Sequence, residues 1–432
     1  MSSPPLVPLF LFFGFILASS AMATDKPAPV VFPIKKDAST NQYYTTLRVG
    51  TPPTSMNAVL DLVGRFTWLD CDGYGSSSYH PIPCESYRCE AAGGGGCTFC
   101  FGPARASCTN DSCLIYVATP FVEEMTSSGL GEDVLVLHST KKIKHTSRSK
   151  FQQVTFCCVG SYWTTGLANS AKGIVALASN PSSLPTGLST QLNLPRVCAL
   201  CLPSSSSKSR CGDLYIGGGP YMQPPIKHDL TKSLLRTRLL IRPSSIAAVS
   251  NEGDEYFIDV TAIKIDSAPI TFNSSILAID KDGAGGTKFG TLTPYSRAPY
   301  RFLHSAIFNP LVEEFAKKAT DRKIKKATPV SPFGACFDAR TVRSGVAGPD
   351  VPAIVLVLRG DAQWRIEGAN SMVRVRKDVM CLGFLDGGSG VGATIEIGGH
   401  QMEDNLLEFA VGSSTFGFSN SLLLRNSSCS HL

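Results

Sequence analysis

Short apolar runs broken by Gly, Pro, Ser and Asn dominate this chain, and they narrow its fold class before any motif is considered. Tyr43 to Val49, Met56 to Leu62, Phe66 to Leu69, Val134 to Leu137, Leu214 to Ile216, Phe257 to Ile265, Ile354 to Leu358 and Ile395 to Ile397 are short and bounded by turn formers. That is the pattern of strands rather than helices, so the expectation is an all-β protein with a few short helices. The best helical signal begins at Asn309, a capping residue followed by Pro310. Glu313 and Glu314 come early, Lys317 and Lys318 late, and Val312, Phe315, Ala316 and Ala319 fall on one face.

A chain of 432 residues, 43% hydrophobic and 17% charged, can bury two cores. Two compositional breaks suggest how it divides. A cysteine-dense, glycine-rich segment at 71–113 reads as a stapled surface excursion, and the stretch with Pro224-Pro225 reads as a crossing between two lobes. The expected organisation is a signal peptide at 1–23, an N-terminal β lobe at 24–220 with the insertion at 71–113, a crossing at 221–255, and a C-terminal β lobe at 256–432.

The signal peptide rests on the apolar run Leu6 to Leu17, which ends in the small-residue frame of Ala21 and Ala23. The run is shorter than the roughly 20 residues that span a bilayer, so no membrane span is expected. Fifteen cysteines fit an oxidising compartment. So do the sequons at Asn110, Asn273 and Asn426. Cys97 and Cys100 have zinc-like local spacing, but no second pair completes four ligands, and no metal or other cofactor is expected. The formal charge of +6 draws a secreted protein to acidic surfaces such as cell-wall polysaccharide. Lys141 to Lys144 and Lys323 to Lys326 are solvated loops on this reading, not nucleic-acid patches. His138, His145 and His304 stand apart from any Ser or Cys nucleophile, and Trp68, Trp163 and Trp364 are expected in the core.

One constellation carries chemistry, or its remains. Tyr43 to Val49, the turn Gly50-Thr51-Pro52-Pro53, and Val59-Leu60-Asp61-Leu62-Val63-Gly64 followed by Trp68 resemble the opening of pepsin-like aspartic proteases, where the loop reads D-T-G-S. Asp61 stands at the first catalytic aspartate, while Leu62, Val63 and Gly64 replace Thr, Gly and Ser. Gly285-Gly286-Thr287-Lys288-Phe289-Gly290-Thr291-Leu292-Thr293 resembles the second loop, with Gly290 at the second aspartate. Asp280 and Asp282 lie too far upstream to substitute without a register break. Aspartic proteolysis needs two carboxylates sharing a proton, one activating water and the other protonating the carbonyl oxygen, so this resemblance implies a silent protease. Asp61 to Gly173 spans 112 residues and Gly290 to Gly398 spans 108, near-equal distances that suit two related lobes around a central cleft.

Within that family, Phe32 to Thr40, Pro332 to Phe337, Gly368 to Val373 and Gly398 to Asn405 resemble a plant branch: basic 7S globulins, extracellular dermal glycoproteins and xylanase inhibitors. The resemblance implies a secreted protein of the apoplast or cell wall that inhibits microbial glycoside hydrolases in plant defence. A storage or peptide-binding globulin is the alternative, and a residual aspartic endopeptidase the second. It implies the disulfides Cys71–Cys158, Cys201–Cys429 and Cys336–Cys381, with Cys84, Cys89, Cys97, Cys100, Cys108 and Cys113 pairing among themselves in one of 15 ways. Cys198 and Cys211 are then candidates to bridge a hairpin, leaving Cys157 free. Wheat-type inhibitors carry a His just before their last cysteine. Arg425 occupies that stretch here, and with Lys325 or Lys326 as a second contact it is the candidate to reach the paired carboxylates of a hydrolase.

Overall fold

The computed structural model describes residues 28–119, 121–137, 150–168, 170–207, 209–242, 255–280, 284–292, 304–387 and 392–431. The expected signal peptide, Lys141 to Lys144, His138, His145 and Asp282 lie outside them. The chain is mostly β with few helices, and among the described residues no helix is long and apolar enough to cross a membrane.

Six antiparallel strands form a platform to which both halves of the chain contribute. From one edge they run Val30–Lys36, Gly212–Ile216, Val197–Cys201, Leu406–Ala410, Thr415–Phe418 and Leu235–Arg242. The last lies inside the stretch expected as a crossing. At the centre Val197 to Cys201 pair with Ala410 to Leu406, and Cys198 to Cys201 and Leu406 to Ala410 are buried throughout. Beyond one edge, Lys35 and Lys36 pair with Tyr44 and Tyr43, leading into the hairpin of Tyr43–Val49 and Thr54–Asp61. Beyond the other edge, Leu235–Arg242 pairs with Glu255–Ile258, which pairs with Thr287–Phe289.

Local sequence explains most of these elements. Tyr43, Thr45, Leu47 and Val49 are buried while Thr46 is exposed, the alternation of a strand with one covered face. The run Phe257 to Ile265, read as one strand, breaks at Asp259 into Glu255–Ile258 and Val260–Ile265, which join different sheets. In the second half, Tyr256, Phe289, Trp364, Phe409, Phe416 and Phe418 form a buried aromatic cluster with neighbouring centroids 4.7 to 6.1 Å apart. Trp68, Trp163 and Trp364 are all buried.

The helix starts earlier than its caps suggest. It spans Ser305–Asp321, His304 caps it by accepting from the Ala306 N–H, and Pro310 sits inside. Asn309 is therefore no cap. Ile307, Phe308 and Leu311 carry the apolar stripe back one turn, and burying them outweighs the single backbone hydrogen bond that Pro310 forgoes.

A buried ion network ties the two halves. The Glu403 carboxylate accepts from Lys36 and from the Tyr43 hydroxyl, both in the first half of the chain, and faces His400 Nδ1 at 3.2 Å. Burial pushes the Glu403 carboxyl up, but the His400 hydrogen bond and the Lys36 charge outweigh it and hold the group below the usual carboxylate range. Removing one partner of such a pair costs about 3–5 kcal/mol, so Glu403→Ala is expected to lose that much in denaturant unfolding. A carboxyl with a depressed folded pKa stabilises fully above its unfolded value of about 4.3 and loses the contribution as pH falls through the folded value. Thermal midpoints of wild type and Glu403→Gln should therefore differ at neutral pH and converge in acid.

Candidate functional site

The same construction occurs twice beside the platform. Val59–Asp61 runs parallel to Ile174–Ala176, and Thr287–Phe289 runs parallel to Ile395–Ile397. Where each first strand ends, one backbone bond closes the pair: Leu177 N–H to the Asp61 carbonyl at 2.8 Å, and Gly290 N–H to the Ile397 carbonyl at 2.9 Å. Asp61 and Gly290 thus begin equivalent loops.

The two loops are stitched by one side chain. Thr291 Oγ1 donates to the Leu60 carbonyl at 2.7 Å and accepts from the Leu62 N–H at 3.1 Å, so it grips the backbone on both sides of Asp61. Leu62, buried and without a hydroxyl, cannot return the contact.

Each loop also has a glycine whose missing side chain leaves room for a carboxylate. A Cβ on Gly64 would stand 2.6 Å from Asp61 Oδ2, and a Cβ on Gly290 would stand 2.4 Å from Glu396 Oε1. Asp61 is buried, and its Oδ1 accepts from the Val63 N–H at 2.9 Å. Glu396, also buried, comes from the neighbouring parallel strand, where it stands in register with Lys288. Lys288 is itself buried and donates to Glu255 at 2.6 Å, with Arg242 3.9 Å from the other oxygen of Glu255. The second loop therefore has no aspartate of its own; a glutamate from the next strand fills that volume. Sequence reading missed Glu396, although an acid inside the run Ile395-Glu396-Ile397 was a signal that this buried strand serves more than packing.

The expected inhibitory residues are dispersed. Arg425 is exposed at the end of the short helix Leu422–Arg425, next to Asn426 in the left-handed conformation and four residues before Cys429. Beside it opens a groove of about 710 Å³ lined by Pro224, Pro225, Val346, Leu423, Asn426 and His431, among others. Lys325 and Lys326 are exposed on the approach to the strand pair Lys326–Ala327 and Cys336–Asp338 and do not line that groove. Of the sequon asparagines, all three are exposed. Asn273 caps a turn by accepting from Ser275, while Asn110 accepts from the Cys100 N–H.

Disulfides join Cys71 to Cys158, Cys201 to Cys429 and Cys336 to Cys381, and inside the excursion Cys84 to Cys97, Cys89 to Cys113 and Cys100 to Cys108. Cys97 and Cys100 are thereby spent on sulfur. Cys157, Cys198 and Cys211 are free thiols, so the hairpin bridge suggested for Cys198 and Cys211 does not form. Cys198 stands opposite Ile216, five residues from Cys211, and at about 3.3 Å per residue that offset is roughly 16 Å, beyond the reach of a disulfide. Burial pushes the Cys198 thiol up to about 12 and that of Cys157 higher still, so both are inert.

Comparison with known proteins agrees with this architecture. Residues 43–218 match the family model described as xylanase inhibitor N-terminal, and residues 255–420 match xylanase inhibitor C-terminal. The chain is 37% identical to "Probable aspartic proteinase GIP2" of Nicotiana benthamiana, covering 96% of this chain and 95% of that protein. It is 34% identical to "Gamma conglutin 1" of Prunus dulcis, covering 96% and 93%. Among solved structures, one described as edgp superposes with a TM-score of 0.86 at 37% identity, covering 94% of this chain and 97% of that one. Basic 7S globulin from soybean gives 0.76 at 27%, covering 93% and 98%. With both halves matched and the platform and paired loops in place, the chain belongs to the xylanase-inhibitor family of pepsin-like proteins that also includes the basic 7S globulins and gamma conglutins.

Proposed function

We propose that this protein is a secreted, proteolytically silent member of its family that binds and inhibits microbial glycoside hydrolases in the apoplast or cell wall. The carrying observation is Gly290 at the second catalytic position, with Glu396 in its side-chain volume, in a chain matched at both halves by xylanase-inhibitor models. The lobes are taken as 24–220 and 256–432, after a signal peptide at 1–23. Two relatives are named probable aspartic proteinases, but proteolysis needs a second carboxylate on the loop that here carries Gly290.

Inhibition is assigned to the outer surface of the second lobe. A glycoside hydrolase cleft presents two carboxylates, and the Arg425 guanidinium can bind one of them through a two-pronged fork. The turn holding it is anchored by the Cys201–Cys429 disulfide and by the Cys429 N–H donating to Asp404 at 2.8 Å, so little freedom is lost on binding. The expected targets are glucanases or xyloglucanases rather than xylanases, because a guanidinium replaces the imidazole of wheat-type inhibitors. Acidic wall polysaccharide is a secondary partner. Kinship with gamma conglutins and a basic 7S globulin supports a second reading, a storage or ligand-binding globulin.

Two experiments decide. Pure protein incubated with denatured substrate at acidic pH should show no pepstatin-sensitive cleavage; cleavage that Asp61→Asn abolishes would overturn the silence. Gly290→Asp should not restore it, because the new carboxylate displaces Glu396 and sets two buried acids together. That variant should lose about 1–3 kcal/mol, more at neutral than at acid pH, and Glu396→Val should recover most of it. Against a panel of glycoside hydrolases, Arg425→Ala should raise the inhibition constant about 10- to 100-fold, with Lys325→Ala or Lys326→Ala changing it only a few-fold. No inhibition across the panel would favour the globulin reading.

A further inference from the structure

The stapled excursion displays apolar surface apart from the paired loops and the C-terminal turn. Among the described residues, the three most exposed large hydrophobic side chains are Phe101 at 95%, Tyr87 at 82% and Phe99 at 75%, all within it. Phe99 and Phe101 flank Cys100 in a segment that belongs to no strand. Their rings meet edge to face with centroids 4.8 Å apart. Disulfides from Cys97 to Cys84 and from Cys100 to Cys108 fix the backbone under them. The pair is thus ordered yet uncovered, an expense in water that calls for an occupant.

One occupant has its attachment atom in place. The Cys100 N–H, on the backbone between the two rings, donates to Asn110 Oδ1 at 2.6 Å. Asn110-Asp111-Ser112 is an acceptor triplet for N-linked sugar, and Asn110 is exposed. Its Nδ2 is bonded to the same carbon as Oδ1, so a sugar on Nδ2 starts near the Cys100 backbone that joins the two phenylalanines, and the hydrogen bond through Oδ1 survives attachment. A pyranose ring has apolar C–H faces that an aromatic ring can cover.

We propose that Asn110 carries an N-linked glycan whose first N-acetylglucosamine packs on the Phe99–Phe101 pair, so that the excursion is a built sugar platform. In the transfer, the Nδ2–C1 bond forms as the C1–O bond to a lipid diphosphate oligosaccharide donor breaks. Asn110 gives up one amide proton and the lipid diphosphate leaves. The inference rests on the secretory reading but not on hydrolase inhibition, since Arg425 lies on the C-terminal turn and not on the excursion.

The test uses the full chain with Asn273→Gln and Asn426→Gln, secreted from a yeast that adds high-mannose glycans, in three states: intact, trimmed to a single N-acetylglucosamine, and fully deglycosylated. Full removal turns Asn110 into an aspartate, so an Asn110→Asp chain serves as the charge reference. Peptide mapping should find Asn110 occupied. Intact and trimmed forms should melt together, and the deglycosylated form and the reference about 2 °C lower. In a Phe99→Ser/Phe101→Ser chain, whose changes are on exposed side chains, the three states should melt alike. An unoccupied Asn110, no shift in the parent, or a shift that persists without the phenylalanines each overturns the proposal; the last two leave the aromatic pair to a protein partner.

Discussion

The pairing of Val197–Cys201 with Leu406–Ala410 is the joint on which the molecule depends, because it makes one sheet from two distant parts of the chain. These strands are almost wholly buried, so water cannot replace any backbone hydrogen bond that fails to form, and register is enforced group by group. The Cys201–Cys429 disulfide leaves from the end of this joint and fixes the C-terminal turn to it. The positions of Thr291 against Asp61, and of Glu403 between Lys36 and Tyr43, follow from the same alignment. Sheet, crosslink and ion network therefore hold the halves by different physics, and only the last is sensitive to pH.

The paired loops set one aspartate and one glycine in equivalent places on a pepsin-like framework. Reaction demands two carboxylates held apart from compensating charge but close to each other. Here one loop keeps its aspartate with backbone support, while the other has handed its volume to an acid from a neighbouring strand that stands in register with a buried lysine. The retained Thr291 serves architecture, since its two bonds go to backbone atoms and none to a side chain.

Fold class and loop pairing were legible in the sequence because both depend on local pattern: strand alternation at Tyr43 to Val49, and the loop motifs at Asp61 and Gly290; the spacing counted from Gly173 was off, because Ala176 stands beside Asp61 while Gly173 pairs with Leu69. What escaped depended on contacts between distant residues. The helix extended back to Ser305 because Ile307 and Phe308 had a core to enter. Cys198 and Cys211 looked bridgeable until the hairpin register set Cys198 opposite Ile216. Glu396 looked like part of an apolar strand because only its three-dimensional neighbour, the absent side chain of Gly290, explains it. The Phe99–Phe101 pair lay in a glycine-rich, cysteine-rich segment with no periodicity, where exposure cannot be read from pattern.

The fit of Glu396 into the space at Gly290 also makes the two positions interdependent. With a buried acid from one strand in the side-chain space of the other, neither position can change by itself: introducing an aspartate at Gly290 meets like charge, and removing the glutamate empties a site and strips Lys288 of its opposite in register. Only the two changes made together would put an aspartate on this loop without a second buried acid beside it.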